Sequence, residues 1–279
     1  MARASAVKMP PETSAAHGCE GARRVLALML AFTADKNTLT ARDLAAATGI
    51  ALPSVYRYIT LLRETGLLAG DERGTYRLSA RLIGLARAAE AAESIIDIAE
   101  PVMARLAAET GETVILVRLI GRTAVCVHRV QSAQRLRISF EPGQALPLDR
   151  GASARMLLAG LVPEQRREYL AQLAGRDQEA AARLEAMVAQ AARDGYAISE
   201  EEVEKGVFAV AAPIFQGKRT IAVITVPSPL VRAPAPMQEK LLDQVRLAAQ
   251  AINEGLRAGR RALRGYQSHR YPAEHAGLS

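Results

Sequence analysis

The chain has 279 residues, 49% of them hydrophobic and 23% charged, with Lys+Arg 36 against Asp+Glu 29 and a formal net charge of +7. That length holds one or two domains with ordinary buried cores. The longest apolar runs, Val25–Phe32 and Ile221–Val226, fall short of the roughly 18 residues a bilayer crossing needs, and Met1–Pro11 lacks the apolar middle of a secretory signal, so no membrane partner and a cytoplasmic location are expected. Two cysteines, Cys19 and Cys126, and four histidines, His17, His128, His269 and His275, supply neither a disulfide framework nor a zinc knuckle, and no metal or cofactor is expected.

The charge is local. Residues 20–85 carry nine basic and six acidic side chains, residues 86–258 carry equal numbers, and residues 259–279 carry four basic and one acidic. One end of the molecule is suited to a polyanion, although so small an excess also fits an ordinary solvated surface.

Met1–Glu20 has no periodicity and is expected to fray. From Gly21, Val25, Leu26, Met29 and Leu30 follow a helical stripe. Thr38–Thr40 reads as a short extended piece, with Thr40 as N-cap of a second helix, Ala41–Thr48, that buries Leu44 and Ala45 and ends at Gly49. A third helix runs from about Pro53 to Thr65, where Gly66 stops it. Val55, Ile59 and Leu62 give it a core face, which leaves Ser54, Tyr56, Arg57 and Thr60 opposite and Tyr58 at the border. Leu67–Ala69 and Thr75–Leu78 around Asp71–Gly74 read as a hairpin. Three helices with the turn Gly49-Ile50-Ala51 between the second and third, then a hairpin, predict a winged helix-turn-helix over 21–79; the pattern alone also fits another three-helix bundle with a hairpin. In a winged module the third helix enters the major groove. Arg57, with its fork of donors, suits phosphate or the guanine edge, Ser54, Tyr56 and Thr60 lie beside it, and Arg73 and Arg77 on the wing either reach an adjacent backbone or are simply solvated.

A linker helix is expected over 80–94, and a second domain over 95–258. Its predicted elements are a helix Ile95–Glu109 interrupted at Pro101, strands Thr113–Ile120 and Thr123–Val130, a strand Arg135–Phe140 with one wet face, and a loop Pro142–Arg150. Helices Ser153–Gly160, Glu164–Ala174 and Gln178–Asp194 follow, then a hairpin of Phe208–Phe215 and Thr220–Val226, a proline loop through Pro227, Pro229, Pro234 and Pro236, and a closing helix Met237–Leu256 before a basic, flexible tail over 259–279. This order predicts an α+β domain with a largely antiparallel sheet.

Few residues in that domain advertise chemistry. Backbone N–H groups at Gly151, Ala152 and Ser153 open a helix and offer donors to a carboxylate. Ser153 lacks a Gly-x-Ser-x-Gly elbow and a nearby histidine. Cys126 and His128 share one strand face at i, i+2 spacing, a pair too small for a metal site, and Glu200-Glu201-Glu202 with Glu204 reads as a solvated cap.

Six motifs in order carry a resemblance: Leu44-Ala45-Ala46-Ala47-Thr48-Gly49-Ile50, Val55-Tyr56-Arg57-Tyr58-Ile59, the wing ending Tyr76-Arg77-Leu78, Gly111-Glu112-Thr113-Val114, Leu146-Pro147-Leu148, and Gly195–Glu202 followed by Gly206-Val207 and Ala211–Ile214. From about Gly21 to Leu256 the chain resembles the IclR-type transcriptional regulators. The resemblance implies an N-terminal winged helix-turn-helix on operator DNA and a C-terminal GAF-like domain that binds a small effector. It also implies self-association as dimers, often paired into tetramers. Effector contacts are implied at Ala152, Ser153, Ser199, Val207, Ala209 and Thr225, to which the backbone donor at Gly151 adds a seventh expected position. Family members often carry Pro-Lys-Ser-Thr where this chain has Ala51-Leu52-Pro53-Ser54, so a positive charge is missing at the start of the third helix. Asp149-Arg150-Gly151-Ala152-Ser153 likewise departs from the family's His-Ala-(Thr or Ser), and Ser199 stands where related pockets often have an acid, which implies a different effector. The expected function is a ligand-responsive regulator, a repressor without enzymatic activity. The alternatives are a catalytic C-terminal domain tethered to a docking module, and an architectural DNA binder whose second domain only oligomerises.

Overall fold

The computed structural model describes residues 19–33, 36–71, 74–91 and 94–269, with side chains over 19–33, 36–71, 74–86 and 95–258. The chain divides into two compact units, Met1–Glu93 and Ser94–Ser279.

In the first unit, helices α1 (Glu20–Leu30), α2 (Ala41–Thr48) and α3 (Leu52–Glu64) pack around Leu28, Leu44, Val55, Ile59 and Leu62. A reciprocal cap starts α2: the Thr40 hydroxyl accepts from Asp43 N–H at 3.2 Å, and the Asp43 carboxylate accepts from Thr40 N–H at 2.9 Å. Gly49, at φ 70°, ends it by donating to Ala45 O at 2.9 Å, a left-handed turn that a Cβ would oppose. Strands β1 (Leu39–Thr40), β2 (Leu68–Gly70) and β3 (Thr75–Leu78) form a small antiparallel sheet in the order β1-β3-β2. This is the predicted winged helix-turn-helix, and α4 (Arg81–Ala91) follows it.

The second unit is built on a six-stranded antiparallel sheet in the order β6-β5-β4-β9-β8-β7. Its strands are β4 (Val114–Ile120), β5 (Thr123–Val130), β6 (Ala145–Leu146), β7 (Ala197–Glu200), β8 (Val207–Gln216) and β9 (Arg219–Pro229). Side-chain alternation divides the core. Even-numbered residues such as Leu116, Phe208, Val210, Ile224 and Val226 pack against α5 (Ser94–Thr110) and α9 (Ala235–His269). Odd-numbered Ile115, Val117, Ala211 and Val223 face α6 (Ala152–Ala159), α7 (Pro163–Ala174) and α8 (Gln178–Asp194).

Four expectations need correction. Arg135–Phe140 is not a strand: the edge beside β5 is taken by β6, with Ala145 opposite Val125 and Leu146 opposite Ala124, and Leu136 is left 62% exposed. Side chains hold the segment instead, Arg129 through Ser139 and Glu141, and Arg232 through the Leu136 carbonyl. The supposed proline loop is partly strand, because β9 runs to Pro229; its pairing with β4 stops at Thr225, leaving a free edge where proline's missing N–H costs nothing. Cys126 and His128 do not share a face. A bulge at Leu116/Val117 pairs Cys126 with Val117 and His128 with Leu116, so the thiol enters the α6–α8 core while the imidazole meets Glu100 on α5. Finally, α9 continues to His269, beyond the predicted end at Leu256 and into the stretch expected to be a flexible tail. Residues 1–18 and 270–279, which include most of the expected N-terminal tail, lie outside the described residues, as does Arg73.

Candidate functional site

Two surfaces carry the expected site residues, one in each unit. On α3 the core stripe of Val55, Tyr58, Ile59 and Leu62 turns Tyr56, Arg57 and Thr60 to solvent, with Ser54 half-buried. Tyr58 packs inward. Tyr56 is 51% exposed. The Arg57 guanidinium lies 5.5 Å from the Tyr58 ring and makes no ion pair among the described residues, so its five donors remain available. Thr60 spends its hydroxyl on Tyr56 O at 3.1 Å, which narrows its role to a contact surface. On the wing, β3 presents Arg77 to solvent opposite Ala69 of β2. The Asp71 carboxylate accepts from the Thr75 N–H at 2.9 Å and hydroxyl at 2.6 Å, and this fixes the turn before it.

In the second unit, all seven expected effector residues line one cavity. About 460 Å³ of atom-free space, counting the mouth, lies between the odd-numbered face of the sheet and the start of α6. Register explains the floor: Ser199 pairs with Ala209, Ala209 with Pro227, and in the next row Ile115 pairs with Thr225. Gly151, Ala152 and Ser153 form the opposite wall, and the Ser153 and Thr225 hydroxyls meet at 2.9 Å across the gap. Phe140, Leu146, Pro147, Val203 and Val207 supply apolar surface, and Arg150, which pairs with its neighbour Asp149 at 3.3 Å, lines it with a cation.

The amides at the α6 start are divided. The sequence leaves Gly151 N–H as a free donor, but in the structure it is taken, donating to Glu202 Oε2 at 3.0 Å. The first intrahelical bond is Arg155 N–H to Gly151 O at 3.3 Å, so Ala152, Ser153 and Ala154 precede it and keep donors without helical acceptors. Glu202 is therefore no solvated cap: its other oxygen pairs with Arg155, which is 8% exposed and also donates to Ile198 O. This clamp fixes the β7–β8 connection, and Val203, the next residue, closes over Gly151. Gly151 stands at φ 91°, and a Cβ there would meet Val203 Cγ2 at 2.6 Å. Only glycine fits.

Glu202, Arg155, Val203 and Phe140 escaped sequence reading. Glu202, Val203 and Phe140 sit on connections, and Arg155 lies on α6 but is placed by its loop partner Glu202; Ile115, also not named, carried a signal in its parity with Thr225 across paired strands. Elsewhere, burial pushes the Cys126 thiol up to about 11, consistent with a core role. Among the described residues no group of three or more His, Cys, Asp or Glu could hold a metal, and no helix is long and apolar enough to cross a membrane.

A winged helix-turn-helix joined to a sheet domain with a mostly apolar cavity defines a DNA-binding regulator with its own sensor. Comparison with known proteins narrows the class. Residues 21–72 match the IclR helix-turn-helix domain and residues 88–254 the C-terminal domain of the bacterial IclR transcriptional regulators, and the chain belongs to this family. Among curated relatives, the transcriptional regulator KipR of Bacillus subtilis is 31% identical over 193 residues, 67% of this chain and 77% of its own length. The probable regulator SauR of Cupriavidus necator is 28% identical over 248 residues, 84% of this chain and 95% of its own. Among solved structures, an IclR family regulator from Brucella abortus superposes with a TM-score of 0.73 at 23% identity, covering 90% of this chain and 97% of its own. An IclR homolog from Microbacterium hydrocarbonoxydans, complexed with 4-hydroxybenzoate, superposes at 0.69 with 24% identity, covering 86% and 100%.

Proposed function

We propose that the chain is a cytoplasmic repressor whose grip on operator DNA is set by a small organic carboxylate, aromatic or otherwise apolar in its body, held in the second unit. The observation that carries this reading is the single cavity bringing Ser153, Ser199 and Thr225 together with the free amides of Ala152–Ala154 inside apolar walls. The amides and the positive end of the helix dipole receive a carboxylate, the three hydroxyls orient a polar substituent, and Phe140, Val203 and Val207 cover the body. The relative that holds 4-hydroxybenzoate offers a ligand of this type. With no acid at Ser199, this pocket favours a hydroxyl or ether over an amine.

On DNA, Arg57 takes the base-reading role, Ser54, Tyr56 and Thr60 support it, and Arg77 with Arg73 contacts the flanking backbone. The module spans 21–79, α4 links it, and the sensor spans 95–258. Self-association gains support from α1 and α4, where Leu26, Leu30, Ile83 and Leu85 are each more than half exposed. A dimer, able to pair into a tetramer, calls for a palindromic operator with half-sites roughly 34 Å apart or a multiple of it.

The experiment is a thermal-shift screen of organic acids on the full chain, followed by footprinting with each hit. A saturating acid at about 100 times its Kd raises stability by about 2.7 kcal/mol, and is expected to weaken operator protection. An acid consumed to product would favour the tethered enzyme, and hits that never alter operator affinity would favour the architectural binder.

A further inference from the structure

The cavity of the second unit has two polar ends of different kind. At the inner end every group is neutral: the amides of Ala152, Ser153 and Ala154 and the hydroxyls of Ser153, Ser199 and Thr225, all on buried residues. Ser153 and Thr225 spend one proton on each other at 2.9 Å. Ser199 is 6% exposed, lines the cavity and makes no side-chain hydrogen bond among the described residues. A buried hydroxyl without a protein partner is a position that a ligand atom satisfies.

The outer end is charged. Among the described residues that line the cavity, Arg150 alone carries a charge, and its side chain is 53% exposed. Its bond to Asp149 is one 3.3 Å contact between adjacent, partly exposed side chains, which solvent nearly cancels. A carboxylate that accepts from two N–H groups of the guanidinium replaces that contact with a stronger one. Glu202, which holds the Gly151 N–H, is neutralised by Arg155, so the lining is left with a net positive charge.

These ends stand at different depths. Ala152 and Ala154 are 1–2% exposed, whereas the Arg150 side chain is half in water, so a carboxylate on the inner amides leaves the guanidinium for a second one. At the mouth that second group keeps much of its hydration, and its pairing is not cancelled by desolvation. We propose that the effector is a dicarboxylate, and that Arg150 is the residue that selects it over a monocarboxylate with the same body. The proposal rests on the reading of this cavity as an organic-acid sensor and narrows the class of acid.

The test is isothermal titration calorimetry at pH 7.5 on the full chain and on Arg150→Gln, whose exposed side chain can change without touching the core. The probes are pairs alike in shape that differ by one charge: succinate with 4-methylpentanoate, adipate with 6-methylheptanoate, and terephthalate with 4-nitrobenzoate. In the parent, the diacid of the best-fitting pair should bind about tenfold more tightly than its partner. Arg150→Gln should erase that preference while leaving the monoacid within about twofold, and Ser199→Ala, at the inner end, should weaken both members alike. A diacid preference that survives Arg150→Gln, or equal weakening of both members by it, would overturn the proposal. Failure of the sensor reading looks different: no acid of either kind then titrates into the parent, and the dicarboxylate assignment falls with it.

Discussion

Removal of the Glu202 carboxylate tests whether the cavity wall is clamped as described. Glu202 carries the Gly151 N–H at 3.0 Å and the Arg155 guanidinium, whose side chain is 9% exposed against 28% for Glu202. Breaking a fully buried pair by deleting one partner costs about 3–5 kcal/mol. Because Glu202 keeps a quarter of its surface in water, Glu202→Ala should cost about 2–3 kcal/mol. Glu202→Gln keeps an acceptor for Gly151 and should cost about 1–2 kcal/mol. Arg155→Met with Glu202→Leu removes both charges and should return to within about 1 kcal/mol of the parent. With no tryptophan in the chain, urea unfolding is followed by circular dichroism, and the transition of the second unit is the one expected to move. Single variants within about 0.5 kcal/mol of the parent, with an additive double, would refute the clamp.

Arg57→Ala should erase about 1–3 kcal/mol of operator discrimination while leaving the oligomer intact; an unchanged protected sequence in footprinting removes Arg57 from the base-reading set. Ser153→Tyr, which breaks the 2.9 Å contact with Thr225 and fills the cavity, should abolish the thermal shift given by organic acids, and an unaltered titration refutes the pocket assignment. With the Cys126 thiol near 11, only about one in a thousand molecules carries the thiolate at pH 8, so iodoacetamide should modify exposed Cys19 far ahead of it; equal rates by mass spectrometry would contradict its burial. Hydrogen bonds from Thr40 hold the Asp43 carboxyl below its ordinary 3.8, so the cap stabilises above that pH and fades as pH falls through the lowered value. Thr40→Ala should therefore cost about 1 kcal/mol at pH 7, and an equal cost at pH 2 would show that the carboxylate plays no part.

The sequence revealed most where one local rule governs a position. The Thr40 cap, the Gly49 stop and the Val55–Ile59–Leu62 stripe of α3 depend on neighbours within a turn or two, and they are where periodicity and capping place them. Strand alternation failed at Arg135–Phe140 because a strand also needs an edge to pair with, and that edge belongs to Ala145–Leu146. It failed at His128 because one bulged residue reverses every face after it, and no composition signal marks the bulge. In the cavity, Ala152 and Ser153 on α6 and Ser199, Val207, Ala209 and Thr225 on the strands were named in advance through family resemblance. Those on connections, Phe140, Glu202 and Val203, were not, since the bonds that hold their segments span 10 to 96 residues of sequence.

Those connections converge on one short turn. The loop carrying Glu202 and Val203 ends at Gly206, whose carbonyl accepts from Leu230 N–H at 2.8 Å. Two residues on, Arg232 pairs with both oxygens of buried Glu112 at 2.7 Å and donates to Leu136 O at 2.9 Å, holding the segment that brings Phe140 to the cavity. Leu230–Arg232 thus anchors both connections that line the cavity, at the point where β9 hands over to α9. A ligand that fits the walls equally well in every position shifts no equilibrium, however tightly it binds. Regulation requires a ligand whose contacts, such as those with Val203 and Phe140, differ between the two arrangements of the protein. Coupling of this kind typically amounts to about 1–3 kcal/mol, enough for a 5- to 150-fold change in operator affinity without any new contact at the DNA.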